Sequence, residues 1–404
     1  MKDKSICVVG LGYIGLPTAA LLASRGYTVH GVDTNEDAVE IINQGKIHII
    51  EPDLEGLVYS AVSSGALRAS TKGTASDVYI ICVSTPFHSA GKVPTPNIDY
   101  VMSATRAIAP FIKSGDLVIL ESTSPVGTTE KMANILLEFG VDLNVVHIAY
   151  CPERVLPGKI IIELVQNDRV VGGFSPTSAK IVADFYRTFV RGEVHETDAK
   201  TAEMCKLTEN SFRDVNIAFA NELSIICDKE GIDVSNLINL ANLHPRVNIL
   251  NPGVGVGGHC IAVDPWFIVS RNVEIAKIIR SAREVNNAKT EWVIEKIKVA
   301  ANQFELENGK RPTIGCLGLA FKPDIDDLRE SPALHIAEEL QSQGFDVICV
   351  EPNIRGSDIV RIVKLEEALA RVDLIAVLVK HKEFTVDNTR KLILQSKCLN
   401  FCGL

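Results

Sequence analysis

The apolar run Ser5 to Gly10 ends in Gly10-Leu11-Gly12-Tyr13-Ile14-Gly15. A helical pattern opens at once behind it, and a second apolar run, Thr28 to Asp33, closes on an acid. Three glycines at this spacing between strand and helix leave little choice of fold. Gly10 permits a tight turn, Gly12 lets a pyrophosphate approach the backbone, and Gly15 allows close helix packing, while the helix N-terminus favours the anion. Asp33 can accept hydrogen bonds from a ribose diol, and its charge repels the 2′-phosphate of NADP. The motif therefore predicts NAD along Gly10, Gly12, Tyr13, Ile14, Gly15 and Asp33. A glycine turn that binds nothing is the alternative, and the full strand-turn-helix-strand-acid context argues against it.

Further apolar runs, Asp77 to Ser84, Asp116 to Glu121 and Leu143 to Ala149, alternate with helical patterns. Continuous rather than alternating hydrophobicity predicts strands covered on both faces, the signature of a parallel, doubly wound α/β sheet. The carboxyl ends of such strands line the ligand crevice. That places Thr85 and Pro86, and Ser122 and Thr123, beside the cofactor's ribose or nicotinamide side, although these are also ordinary loop and cap residues. From about Asp198 the spacing turns helical (Leu207, Val215, Phe219, Leu223, Ile226), and after a glycine-rich break it resumes from Ile275 to Phe304. Past Gly309-Lys310-Arg311-Pro312, strand-like runs return at Thr313 to Gly318, Asp346 to Val350 and Asp373 to Val379. The expected fold class is α/β: an N-terminal Rossmann domain over 1–197, a central all-helical domain over 198–308 and a C-terminal Rossmann-like α/β domain over 309–404. The two α/β parts share no obvious sequence repetition.

Ser5 to Ser24 is uncharged and mostly apolar behind Lys2 and Lys4, which imitates a signal peptide or membrane span. Its glycines and Pro17 mark a strand, turn and helix instead, and no other stretch is long enough to span a bilayer. A net charge of −9 argues against a nucleic-acid partner, and no polybasic run suggests a membrane surface. Ten scattered cysteines without a CxxC pair fit a reduced, cytoplasmic compartment. His195, His244 and His259 form no ligand spacing with Cys or Asp, so no metal is expected.

The most unusual stretch is Gly253-Val254-Gly255-Val256-Gly257-Gly258-His259-Cys260, followed by Ile261-Ala262-Val263-Asp264-Pro265. Its glycines expose backbone amides to a ligand, and Asp264-Pro265 reads as N-cap and first residue of a helix. A thiol just before a helix start, near a lysine, can be acidic enough to act as a nucleophile; alone, Cys260 would read as structural. Lys206 and Asn210 share a helix face and could donate to an oxyanion, the bland alternative being a solvated face. Pro152-Glu153-Arg154 adds a carboxylate at a strand's carboxyl end, where capping or a salt bridge is the plainer role.

Together these motifs, with Phe321-Lys322-Pro323 and Asp327-Leu328-Arg329-Glu330-Ser331-Pro332, resemble over essentially the whole chain the UDP-glucose/GDP-mannose dehydrogenases, four-electron enzymes that turn a sugar alcohol into a uronic acid. The resemblance implies a homodimer with a central dimerisation domain, a UDP-binding C-terminal domain, NAD as oxidant and a UDP-sugar as substrate. It implies that Cys260 attacks an intermediate aldehyde and carries a thioester, that Lys206 and Asn210 stabilise oxyanions, that Asp264 assists proton transfer or orders water, and that Glu153 assists thioester hydrolysis. Lys322 and Arg329 would serve the nucleotide end and the cofactor. Arg154, Val155, Asn248, Gly257 and Phe321 would join Lys206, Asn210 and Lys322 at the substrate, with Arg246 similar to an arginine that completes a substrate site.

Members acting on UDP-glucose read Cys-x-Pro-Lys-Asp, whereas this chain reads Cys260-Ile261-Ala262-Val263-Asp264-Pro265-Trp266-Phe267. That resembles the N-acetyl-hexosamine branch, and within it the members oxidising UDP-N-acetyl-D-mannosamine. The competing readings are the same chemistry on UDP-GlcNAc or UDP-GalNAc, a two-electron hydroxyacid dehydrogenase of the 6-phosphogluconate type, and a non-catalytic nucleotide-sugar sensor.

Overall fold

The computed structural model describes residues 4–88, 93–258, 260–354, 356 and 358–404. His259 thus lies outside the described residues. The chain divides into two compact units, Met1–Glu209 and Asn210–Leu404.

The first unit is built on strands β1 (Ser5–Val9), β2 (Thr28–Val32), β3 (Leu67–Ser70), β4 (Val78–Ile81), β5 (Leu117–Leu120), β6 (His147–Tyr150), β7 (Arg169–Gly173) and β8 (Val194–Asp198), in the order β8-β7-β6-β5-β4-β1-β2-β3. The continuous apolar runs do cover both faces. Ile6, Val8, Val78 and Ile80 pack with helix Gly15–Ser24 on one side. Cys7, Val9, Tyr79 and Ile81 pack with helices Asp99–Ile108 and Thr128–Glu138 on the other.

The sheet is parallel from β3 to β6, as the runs predict, but it continues further. β7 pairs antiparallel with β6, and β8 pairs parallel with β7, so the far edge runs in reverse. Ser5 to Ser24 forms β1, the glycine turn and a helix. No helix among the described residues is long and apolar enough to cross a membrane.

Helix Ala199–Glu230 starts directly after β8, where the Asp198 carboxylate accepts from the N–H and hydroxyl of Thr201 at 2.9 and 2.6 Å. In the second unit, helix Lys277–Asn308 packs Val293, Ile294 and Ile297 against a parallel sheet, together with helix Pro332–Ser342. That sheet holds β9 (Thr313–Leu317), β10 (Asp346–Val350), β11 (Leu374–Val377) and β12 (Cys398–Asn400), ordered β10-β9-β11-β12.

The two sheets share a detail that the sequence concealed. Gly10 has φ +91 and donates to Val32 O, while Asp33 accepts from the N–H groups of Leu11 and Asn35. Gly318 has φ +86 and donates to Val350 O, while Glu351 accepts from those of Leu319, Ala320 and Asn353. In both, a glycine at one strand end and an acid at the next fix the intervening loop.

Candidate active site

The cofactor half of the first unit has the shape its glycines demand. A Cβ at Gly15 would sit 1.7 Å from Gly10 O, and one at Gly10 would sit 2.7 Å from Cys82 O. A Cβ at Gly12 would meet no protein atom within 4 Å, so Gly12 faces open space, as a pyrophosphate cradle requires. The half-buried Asp33 carboxylate holds Leu11 N–H at 2.8 Å and keeps lone pairs for a diol. These residues fit a dinucleotide.

Ser122 spends its hydroxyl on Val83 O at 2.7 Å and so ties the ends of β4 and β5 together. Thr85 and Thr123 remain half-exposed in their loops. Glu203, buried on helix Ala199–Glu230, accepts from Gly127 N, Thr129 N and the Thr129 hydroxyl, capping helix Thr128–Glu138. Its role lay beyond sequence reasoning because its partners are more than seventy residues away.

One helical turn on, Lys206 faces Glu153. Burial pushes the Glu153 carboxyl up to about 7, against the pull of Lys206 and Arg169. The carboxylate accepts from Val155 N–H, and its neighbour Arg154 is held by Glu209 at 2.7 Å and by Asp168 O at 3.2 Å. The following loop is anchored by buried Glu51, which accepts from Gly158 N and Ile160 N, both at 2.8 Å. Glu153 is thus a carboxyl poised near neutrality with a lysine in attendance.

In the second unit, Cys260 closes the turn before helix Asp264–Arg271, its carbonyl accepting from Val263 N at 3.0 Å and Asp264 N at 2.8 Å. Asp264 is the helix's first residue; Val263, not Asp264, is the N-cap. The Asp264 carboxylate is buried and accepts instead from the Asn210 side-chain amide. Trp266 and Phe267 anchor this helix in the interior. Lys322 supplies the neighbouring cation. Burial, then Arg213, pulls its ammonium below the ordinary value, while Cys260 and Asp327 draw it back up. Lys322 thus lies within electrostatic reach of the Cys260 thiol.

Packing places its own demand on the glycine run. A Cβ at Gly257 would lie 2.3 Å from Glu330 O, one at Gly258 2.9 Å from the Phe321 ring, and one at Gly255 2.4 Å from Thr290 Oγ1. Packing against the 321–332 loop and the Lys277–Asn308 helix therefore requires these three glycines. Gly253 N donates to buried Asn221, and Val254 O accepts from Thr290, so the run hangs from the long helices. Arg329 is paired with Asp327 at 2.6 Å, while Arg246 and Asn248 are exposed.

Among the described residues, Asp324, His381 and Glu383 bring potential metal-binding atoms within 4.8 Å of one another. His381 Nδ1 already accepts from Asp324 N–H at 3.0 Å and its Nε2 meets Glu351 at 3.1 Å, so the imidazole is occupied by its loop.

Residues 4–190 match the NAD binding domain of the UDP-glucose/GDP-mannose dehydrogenase family, 200–288 its central domain and 315–399 its UDP binding domain. The chain is 54% identical to the UDP-N-acetyl-D-mannosamine dehydrogenase of Escherichia coli (strain K12), covering 96% of each. It is 53% identical to the NDP-N-acetyl-D-galactosaminuronic acid dehydrogenase of Ralstonia nicotianae, over 96% of this chain and 93% of that one. It also superposes on the UDP-D-ManNAc dehydrogenase structure from Pyrococcus horikoshii with a TM-score of 0.88 at 39% identity, covering 98% and 95% of the two chains. With all three domains present in order and this depth of identity along their length, the chain belongs to the UDP-glucose/GDP-mannose dehydrogenase family.

Proposed function

We propose that this chain oxidises the C6 alcohol of UDP-N-acetyl-D-mannosamine to the uronic acid in the cytoplasm, for surface-polysaccharide synthesis. The observation that carries the reading is 54% identity over 96% of the chain to an enzyme of that name. The sequence also carries Cys260, Lys206, Asn210, Asp264 and Glu153, the residues this chemistry calls for. The working parts are an NAD-binding domain over 1–197, a central domain over 198–308 and a UDP-binding domain over 309–404.

Gly10, Gly12, Gly15 and Asp33 would hold NAD, which would supply the oxidant for both two-electron steps. Cys260 Sγ adds to the carbon of the intermediate aldehyde and so retains it, and oxidation of the adduct leaves a thioester. Water then cleaves the C–S bond, releasing the carboxylate and restoring the thiol. Lys206 and Asn210 donate to the oxyanions, Asp264 orders water or takes a proton, and Glu153 takes the proton of the hydrolytic water. Lys322 and Arg329 bind at the nucleotide end.

The Ralstonia relative at 53% identity favours a second reading, in which an N-acetylgalactosamine nucleotide is the substrate. Incubating the protein with NAD and each UDP-sugar separates the two. We expect two NADH per UDP-N-acetyl-D-mannosamine and none from UDP-GlcNAc; turnover of UDP-GalNAc alone would transfer the assignment.

The functional form is a homodimer. Phe212, Phe219 and Ile226 recur at seven-residue spacing along helix Ala199–Glu230 with 71%, 55% and 49% of their surface exposed, an apolar stripe that a second copy would cover. Phe219→Glu is expected to give a monomer by size-exclusion chromatography with light scattering. A variant that stayed dimeric would move the interface elsewhere.

A further inference from the structure

Under the Glu153 loop the first unit buries an arginine that the reaction scheme leaves unused. Arg169 opens β7 and is 2% exposed. Its Nη2 reaches Leu164 O at 3.3 Å, while Nε and Nη1 are buried without a hydrogen-bond partner. A guanidinium in that condition is held by charge and packing. It lies over the Tyr186 ring at 5.5 Å, and the Tyr186 hydroxyl donates to buried Glu121 at 2.6 Å.

The Cys82 thiol donates to the other Glu121 oxygen at 3.4 Å. The link to the site is structural as well as electrostatic. Asn167 Nδ2 donates to Arg154 O at 2.9 Å, and Arg154 Nη1 donates to Asp168 O at 3.2 Å, so the residues just before Arg169 are laced to the loop that carries Glu153.

The groups facing Glu153 in this unit are Lys206 from helix Ala199–Glu230, Arg169 from β7 and Glu121 from the end of β5. Cys82 at the end of β4, Cys151 beyond β6 and Tyr186 of helix Pro176–Tyr186 complete the cluster. Burial raises all three of these last acids, Cys151 to about 12, so they stay neutral.

We infer that Arg169, seated on the Glu121–Tyr186 pair, is the positioning residue that holds Glu153 in its proton-accepting form for thioester cleavage, a reading that rests on the role proposed above for Glu153. In that step the water proton passes to the Glu153 carboxylate, the water oxygen bonds to the thioester carbon, and the C–S bond breaks to return Cys260.

The test is the pH dependence of single-turnover hydrolysis, followed as uronate release after the second NADH has formed. Arg169→Met removes a cation, so the acid limb should move to higher pH by about one unit or more. Arg169→Lys should restore the limb to its place, and Glu121→Gln should move it to lower pH. A uniform loss of rate with an unmoved limb in Arg169→Met would overturn the inference. If that variant fails to fold, an unmoved limb in Glu121→Gln overturns it equally. Wild-type hydrolysis by Glu153→Gln would remove the proton-acceptor role itself, a failure distinct from an unmoved limb in the Arg169 series.

Discussion

Cys260→Ala is expected to slow complete oxidation of the sugar by at least about a thousand-fold, about 4 kcal/mol of barrier at 1.36 kcal/mol per decade. The loss should fall on kcat. Cys260 is placed by its carbonyl, which accepts the Val263 and Asp264 N–H groups, and alanine keeps that turn while removing only Sγ. Lys322, Asn210 and Asp264 stay where they are, so nucleotide-sugar affinity should change little. Any residual turnover should stop at one NADH per sugar, since without a thiol the aldehyde has no covalent anchor. Counting NADH against substrate consumed checks this directly, and a full yield of two from the alanine variant would sink the covalent role.

Gly15→Ala carries the second large effect, and Gly12→Ala is its control. The added methyl at Gly15 would lie 1.7 Å from Gly10 O and 3.2 Å from the Cys82 side chain. The obstruction is backbone, inside the turn itself, and cannot rotate away. Overpacking of this kind costs about 3 kcal/mol. For a unit of this size that lowers the Tm by roughly 6–12 °C, and NAD affinity should fall more than about tenfold as the turn deforms.

At Gly12 the methyl meets nothing within 4 Å, so the protein without cofactor should keep its stability. There the methyl enters the space assigned to the pyrophosphate, and only NAD binding should suffer. Thermal denaturation with and without NAD distinguishes the two variants. Undiminished NAD affinity in Gly12→Ala would remove the pyrophosphate from that position.

What could be read from the sequence follows from how each strand is buried. β1, β4 and β5 are covered on both faces and announce themselves as unbroken apolar runs. β3 and β8 lie at sheet edges, where Leu67-Arg68-Ala69-Ser70 and Val194-His195-Glu196-Thr197-Asp198 keep polar residues, and β12 is likewise a short edge. β7 is interior, but it begins with Arg169 and ends in two glycines, which hides a strand of which only Val170 and Val171 are apolar.

The site divides in the same way. Cys260, Glu153 and the Gly10 to Gly15 turn lie in contiguous motifs and were legible. Arg169, Glu121, Tyr186 and Glu203 acquire meaning only through partners tens of residues away, and a lone charged residue in a sequence gives no sign that it will be buried. The glycines around Cys260 stand out in the sequence, but the residues that exclude a side chain at Gly255, Gly257 and Gly258, namely Thr290, Glu330 and Phe321, are far off in the chain and leave no local sign.

The matched strand ends of the two sheets amount to a lesson in receptor design. A left-handed glycine and an acid one strand away are enough to shape the loop, and they do so at Gly318 and Glu351 as fully as at Gly10 and Asp33. What differs is the occupant of the remaining space: His381 plugs the Glu351 carboxylate from inside, whereas Asp33 is left half-open. In the second frame the acid is already met by a side chain of its own chain, in the first it keeps an open side, and the glycine signature is the same in both.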